Sequence, residues 1–118
     1  MQQNMYYFSR LDRKLGYGDN RDICVGIIHT VKGPPVCCHW GLHASPSVFK
    51  ALQYAPSPIL WRVTQAGETH SQQEKTASTE RTYLSCVDLT NTLQEFARKM
   101  ALSVSHLWAM PEVVRQYL

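Results

Sequence analysis

The sequence predicts an α+β protein, with a small mixed or antiparallel sheet, one crossing helix and a C-terminal helical unit. Two observations carry this prediction. Apolar and β-branched runs broken by Gly and Pro occupy residues 1–87, whereas the apolar residues beyond them recur at helical spacing. The chain of 118 residues has 44% hydrophobic content, which suits one globular domain. We therefore expect a single domain over residues 1–118, with a sheet core at 1–87 and helices at 88–118.

Three strands are predicted in the N-terminal third. The apolar and aromatic run Met5–Ser9 predicts the first strand. Residues 23–30 are apolar and largely β-branched, which predicts a buried second strand. After the break at residues 33–35 (Gly-Pro-Pro), residues 36–43 predict a further extended segment. These segments would form one side of the sheet.

A short helix is predicted next. Ser45 has the side chain of a good N-cap, and Pro46 has the fixed backbone angle that is favoured in a first helical turn. Its inward-facing residues would be Val48, Phe49 and Leu52. Pro56 and Pro58 would end it.

The second half of the chain predicts two more strands and then helices. Residues 59–64 and 81–87 predict strands, and the polar residues 67–79 between them predict a mobile loop. From Asp88 onward the spacing is helical, with Asp88 or Thr90 as a cap and Thr92 with Glu95 as a capping box. Pro111 would open a last helix over residues 112–118.

Charge and cysteine content limit the classes of partner. The net charge of +3 is not concentrated in one basic cluster, so we expect no nucleic-acid partner. No apolar run has the length of a membrane span, and no secretory signal pattern is present, so we expect a cytoplasmic protein. In that compartment the four cysteines would be reduced.

The densest collection of functional groups lies in residues 37–46 (CCHWGLHASP). Cys37, Cys38 and His39 are weak candidates for metal ligation, because two adjacent cysteines do not have the separated pairs typical of structural zinc sites. Plain packing of these cysteines is the favoured interpretation. No protease-like or G-x-S-x-G pattern supports nucleophilic catalysis.

Aromatic residues suggest recognition of a partner instead. The chain has three tryptophans and six tyrosines, which are rigid anchors enriched at binding hot spots, although at least two of the tryptophans are expected in the core or at its boundary. The residues expected at a binding surface are Trp40, His43, Tyr54, Arg62 and Arg81.

The order strand, Gly-Leu-His-Ala-Ser segment, helix with Tyr54, and strand resembles the ADP-ribosyltransferase fold. This resemblance implies an NAD-binding transferase in which Ser9 or Arg10 contacts the nicotinamide ribose. The catalytic candidates that it implies are His43, Tyr54 and Glu80. The three-residue signature of that family is incomplete here, so the resemblance provides the alternative function with NAD as cofactor.

A second resemblance is carried by residues 38–45 (CHWGLHAS), 51–56 (ALQYAP), 60–63 (LWRV) and 74–82 (EKTASTERT). These segments look like a small domain of unknown function found in phage and prophage proteins, and residues 96–118 resemble the helical segment that often follows it. The resemblance implies a phage or mobile-element accessory protein without a cofactor. By analogy with other short phage proteins, it would bind and inhibit a host defence complex such as a CRISPR effector.

Overall fold

The computed structural model describes residues 3–104, and the sequence-based prediction of an α+β fold is confirmed. Its five strands form one antiparallel sheet in the order β1-β4-β5-β2, and β3 also pairs with β5. By contacts the chain divides into two compact units, Met1–Asp88 and Leu89–Leu118. The elements are β1 (Met5–Ser9), β2 (Ile28–Thr30), β3 (Leu42–Ala44), α1 (Val48–Leu52), β4 (Ile59–Ser71), β5 (Thr76–Asp88) and α2 (Thr90–Ser103).

A long hairpin of β4 and β5 is the centre of the sheet, and it corrects the prediction of a mobile loop at residues 67–79. Both strands have 13 residues, and their pairing continues to Ser71 opposite Thr76. The turn is closed by a hydrogen bond from the backbone N–H of Gln72 to the carbonyl of Lys75. On the β4 side of this end the residues from Gly67 to Ser71 are exposed, and the pairing with β5 continues past a register shift between Ala66 and Thr69.

The predicted strands at residues 23–30 and 36–43 are shorter than expected. Only Ile28–Thr30 and Leu42–Ala44 are strands. Gly26 has a φ of +90° and Cys38 a φ of +70°, and both lie in turns that interrupt the extended backbone. The 36–40 turn is closed by mutual backbone hydrogen bonds between Val36 and Trp40.

Helix α1 begins later than predicted, because Ser45 is used elsewhere. The backbone of Ser45 exchanges two 2.8 Å hydrogen bonds with Tyr6 of β1. The N-cap is Ser47, whose hydroxyl accepts a hydrogen bond from the backbone N–H of Lys50. The helix buries Ala51, while Phe49 and Leu52 are exposed, so the predicted inner stripe is wrong at these two residues.

The core lies on the face of the sheet that Trp61 and Tyr83 share. Their rings meet edge to face at 5.5 Å between centroids, and the indole N–H of Trp61 donates to the hydroxyl of Ser9 at 2.9 Å. All three side chains are buried. The core cluster consists of Met5, Leu15, Ile23, Leu42, Ala44, Ile59, Trp61, Val63 and Tyr83.

Helix α2, Thr90–Ser103, is the described part of the second unit. Its N-cap is Leu89, which makes no side-chain capping hydrogen bond, so neither Asp88 nor Thr90 occupies the cap position. Glu95 lies inside the helix and pairs with Lys99 at 3.2 Å instead of closing a capping box. The helix predicted at residues 112–118 lies outside the described residues, and no helix within residues 3–104 is long and apolar enough to cross a membrane.

Candidate functional site

A cleft of about 750 Å³ opens between β1, β3, the loop at residues 15–19 and the end of the β4–β5 hairpin. This volume is typical of small-molecule sites. Its walls are unusually rich in aromatic rings, and the charged groups among them are mainly cationic. The aromatic lining residues are Tyr6, Tyr7, Phe8, Tyr17, Trp40 and Tyr54, and the charged ones are Arg10, Asp19, Lys75 and Arg81.

Arg81 is the buried charge of this cleft, with 2% of its surface exposed. Its guanidinium carbon lies 3.8 Å from the centroid of the Tyr7 ring, which is the distance of a cation–π contact. The Nε–H group donates to the Tyr83 hydroxyl at 2.9 Å, and Nη1 donates to the carbonyl of His43 at 2.7 Å. These contacts fix the plane of the guanidinium group.

No carboxylate of residues 3–104 forms an ion pair with Arg81. Asp19 is the one acidic residue in the cleft lining, and hydrogen bonds from the Arg21 side chain hold the pKa of its carboxyl group below the usual value. The Nη2 group of Arg81 donates to no described residue. A buried cation without a counter-charge is costly, so the site favours an anion beside Arg81.

Behind Arg81, hydrogen bonds continue into the core. The Tyr83 hydroxyl lies 2.8 Å from Nδ1 of His29, and Nε2 of His29 lies 3.0 Å from the carbonyl oxygen of Asp22. Burial raises the pKa of the Tyr83 phenol, so the hydroxyl keeps its proton. Burial, with the positive charges of Arg21 and Arg81 next in effect, lowers the pKa of His29. Both groups are therefore neutral at physiological pH.

His43 lines the cleft with a half-buried imidazole whose two nitrogens are both engaged in its own turn. Nε2 accepts the backbone N–H of Cys38 at 2.9 Å, and Nδ1 lies 3.1 Å from the carbonyl of Gly41. A carbonyl can only accept, so Nδ1 carries the proton. Burial is the main cause that lowers the pKa of His43, which favours this neutral form. The ring holds the turn in place and presents its edge to the cleft.

The mouth of the cleft is formed where the hairpin turn approaches α1. The ammonium group of Lys75 lies 4.1 Å from the centroid of the Tyr54 ring, and the Tyr54 hydroxyl donates to Glu74 at 3.3 Å. A hydrogen bond with the Cys38 side chain is the main cause that raises the pKa of Lys75. Trp40 stands beside this group, half exposed, with its indole N–H donating to the carbonyl of Lys32.

The two adjacent cysteines have separate surroundings. Cys37 is buried, and its thiol donates to the carbonyl of His70 at 2.9 Å, while its backbone N–H donates to Nδ1 of the same histidine. Cys38 is exposed and lines the cleft. Among residues 3–104 no three His, Cys, Asp or Glu side chains are arranged to hold a metal ion. Cys37 fastens the 36–40 turn to the hairpin through its thiol and its backbone N–H.

The cleft brings together Arg10, Trp40, His43, Tyr54 and Arg81 among the residues singled out in the sequence. Arg62 and Glu80 are not among its lining residues. On β5 the side chain of Glu80 projects from the face opposite to that of its neighbour Arg81, because side chains alternate along a strand. Ser9 is buried, and its hydroxyl accepts a hydrogen bond from the indole N–H of Trp61.

Sequence reasoning missed Tyr7, His29, Lys75 and Tyr83 as residues of this site. Arg81 and Tyr83 are two positions apart in a predicted strand, which places both on one face and could have indicated their pairing. No sequence signal joined them to His29, because that contact spans 54 residues. Comparison of the chain with protein-family models, with curated proteins and with solved structures found no match.

Proposed function

We propose that the protein binds a small anionic ligand of the nucleotide class in the cleft, with a phosphate on Arg81 and a planar ring among the aromatic walls. The observation that carries this proposal is the buried guanidinium group of Arg81, which has no carboxylate partner among the described residues. A phosphate oxygen would supply the missing negative charge and accept the hydrogen bond that Nη2 leaves unused.

The surroundings of Arg81 support a ligand that has a ring as well as a charge. Trp40 and Tyr54 are about half exposed at the mouth of the cleft, where a base or a nicotinamide ring could stack on them. The cleft is also large enough to enclose most of a nucleotide-sized molecule. NAD, the cofactor implied by the ADP-ribosyltransferase resemblance, belongs to this class.

We propose binding of the ligand, and not transfer of an ADP-ribosyl group, as the function. A transferase of the kind that the resemblance implies would need its glutamate beside the ligand, and Glu80 does not line the cleft. Asp19 does line it but is held by Arg21. His43 has both ring nitrogens engaged, so it is poorly placed to move a proton.

Isothermal titration calorimetry with NAD, ADP-ribose and AMP tests the proposal. We expect at least one of these probes to bind with a micromolar dissociation constant, and Arg81→Met to weaken it by roughly tenfold or more, since a hydrogen bond to a charged group is lost. Arg62→Met is the matched control, because Arg62 is exposed and outside the cleft. Arg81→Lys keeps the charge but not the fork and should also bind weakly. Absence of binding by the wild type, or equal binding by Arg81→Met, contradicts the proposal.

A second candidate function is inhibition of a host defence complex, in keeping with the phage-domain resemblance. The observation that favours it is a set of exposed aromatic side chains, which are typical of partner-binding surfaces: Tyr17, Trp40, Phe49 and Tyr54. Plasmid-interference assays in cells with an active CRISPR effector test it. An inhibitor would preserve the targeted plasmid, Phe49→Ser would reduce this protection, and Asn91→Ser would not. Loss of the plasmid in cells expressing the wild-type protein contradicts it.

A further inference from the structure

We infer that Tyr83 and His29 are positioning residues for Arg81, and that a neutral His29 is needed to aim the guanidinium group at a bound phosphate. This inference rests on the proposed ligand-binding function. It is carried by one continuous chain of hydrogen bonds, from the Arg81 Nε through the Tyr83 hydroxyl and the His29 ring to the Asp22 carbonyl, at 2.9, 2.8 and 3.0 Å.

The direction of every bond in this chain is determined by its last acceptor. The Asp22 carbonyl can only accept, so Nε2 of His29 carries the proton and Nδ1 is an acceptor. The Tyr83 hydroxyl must therefore donate to Nδ1, and its oxygen is left to accept the Nε–H of Arg81. The guanidinium group, which can only donate, completes the chain. Every donor in this chain of hydrogen bonds has an acceptor only while His29 is neutral.

Protonation of His29 would reverse this order. With a proton on both ring nitrogens, Nδ1 would become a donor toward the Tyr83 oxygen, which already accepts from Arg81. The Tyr83 hydroxyl proton would lose its acceptor, and two buried cations would face the same oxygen. The Tyr83 hydroxyl can then no longer hold the Nε–H of Arg81 in the same geometry.

The groups that face His29 make this change unfavourable inside the protein. Arg81 and Tyr83 lie on β5, where Arg81 is paired directly with His29, and Arg21 and Asp19 lie on the loop before β2. Arg21 is itself paired with Asp19, so its charge is partly compensated, whereas that of Arg81 is not. His29 is 4% exposed and Tyr83 is fully buried, so water does not replace the lost partners.

Geometry also limits how Arg81 could be aimed without this chain. The Tyr7 ring restrains only the plane of the guanidinium group, and the His43 carbonyl holds only Nη1. The Tyr83 hydroxyl is the contact that fixes rotation within that plane, because it binds the opposite edge of the fork. With both edges held, Nη2 is the nitrogen left to bind a ligand in the cleft that Arg81 lines.

Titration of the wild type and variants with ADP-ribose tests the inference. The diphosphate of this probe is linked to sugars at both ends and has no monoester proton that titrates near pH 6, so its charge stays constant between pH 5 and 8. We expect Tyr83→Phe, which keeps the ring and removes the hydroxyl, to weaken binding at pH 7.5 by about tenfold. Because burial lowers the pKa of His29 below the ordinary value of 6.5, the wild-type affinity should fall only as the pH approaches the lower, folded-state value and His29 takes up a proton.

His29→Asn supplies the readout that a merely structural role would not change. Its amide oxygen can accept from Tyr83 as Nδ1 does, but it does not titrate, so the affinity should lose its pH dependence while remaining near the wild-type value at pH 7.5. His70→Asn, which alters an exposed histidine outside the cleft lining and keeps an acceptor for the Cys37 N–H, should keep the wild-type pH profile. This comparison also decides the question if Tyr83→Phe fails to fold.

The failures of the two proposals are distinguishable. If the wild-type protein binds no ADP-ribose, both the proposed site for this probe and the positioning role are overturned. Binding that is lost in Arg81→Met but unchanged in Tyr83→Phe overturns the positioning role alone. An affinity that is equally pH-dependent in wild type and His29→Asn overturns it as well.

Discussion

The guanidinium group of Arg81 lies over the ring of Tyr7, with its central carbon 3.8 Å from the ring centroid. The electron-rich face of the ring therefore provides part of the stabilisation that a carboxylate would otherwise provide. Tyr7→Leu should lower the free energy of unfolding by about 1–2 kcal/mol and weaken nucleotide binding, as measured by urea denaturation and calorimetry. Tyr6→Leu, on the neighbouring position of β1, is the control, because no contact between Tyr6 and a cation is present among the described residues. Equal effects of the two substitutions would contradict the role of Tyr7.

Ser9 and Trp61 form a buried hydrogen bond at the junction of β1 and β4. Ser9→Ala should lower the free energy of unfolding by about 1–3 kcal/mol, because it leaves the indole N–H of Trp61 buried and unpaired. The double variant Ser9→Ala with Trp61→Phe removes both partners and should lose less than the sum of the two single changes. Urea denaturation of the four proteins measures this coupling, and additive losses would show that the bond contributes nothing.

Stability should depend on pH through the two buried imidazoles. Burial lowers the pKa of both His29 and His43 below the ordinary value of 6.5. Above that pH neither the folded nor the unfolded state binds a proton there, so their contribution is constant. As the pH falls below 6.5, the unfolded chain takes up protons that the folded protein does not, and stability is lost progressively toward the folded-state pKa values. Denaturation between pH 7.5 and 5 measures this slope, which should be shallower in His43→Asn than in the wild type, and an equal slope would contradict the role of His43.

The accessibility of the cysteines reports both the fold and the cleft. Cys24 and Cys38 are exposed, whereas Cys37 has 2% of its surface exposed. Iodoacetamide followed by peptide mass spectrometry should modify Cys24 and Cys38 well before Cys37 under native conditions. A ligand that fills the cleft should slow modification of Cys38 and leave Cys24 unchanged, since only Cys38 is a lining residue. Rapid native modification of Cys37 would contradict the buried turn.

Gly41 closes the turn that carries the histidine of the cleft. It has a φ of +119°, and an added Cβ would lie 3.0 Å from the Cβ of Pro35 and 3.2 Å from the Ser78 carbonyl oxygen. Gly41→Ala should therefore cost roughly 1–3 kcal/mol in thermal or urea unfolding. Gly18→Ala is the matched control, because Gly18 also has a positive φ but no atom lies within 4 Å of its added Cβ. A smaller loss at Gly41 than at Gly18 would contradict the close approach.

The parts of the fold that could be predicted are those where local pattern and tertiary pairing agree. Met5–Ser9 is an apolar and aromatic run that pairs with Ile59–Val63, so its bounds were predicted correctly. The polar hairpin end was missed, because its strand structure comes from backbone pairing between Thr69 and Ser78 and their neighbours, and its β4 side chains from Gly67 onward are exposed. The pattern of apolar residues indicates which side chains are buried, but a strand can also form by backbone pairing where the side chains are polar.

The same limit applies to the cleft. The segments around His43 and Tyr54 could be found from the sequence because their functional groups are concentrated within a few residues. Arg81, Tyr83 and His29 meet through the register of β2 with β5, and a single sequence does not contain that register. Arg62 and Glu80 were predicted to belong to the site only from their positions in the sequence motifs. Because side chains alternate along a strand, Glu80 lies on the face opposite to Arg81.

The β4–β5 hairpin supplies both Arg81, at the inner end of the cleft, and Lys75, at its mouth. Lys75 directly precedes β5 and lies six positions before Arg81 in the chain. One residue inserted within that stretch would move Arg81 to the other face of the sheet and bring Glu80 into its place, so that the cleft would acquire a carboxylate where it now has a cation. Alternate positions of β5 face opposite sides of the sheet, so a shift of one position decides whether a cation or a carboxylate meets a ligand in the cleft. Changes of length are therefore tolerable in the turn beyond Ser71 but not within the strand.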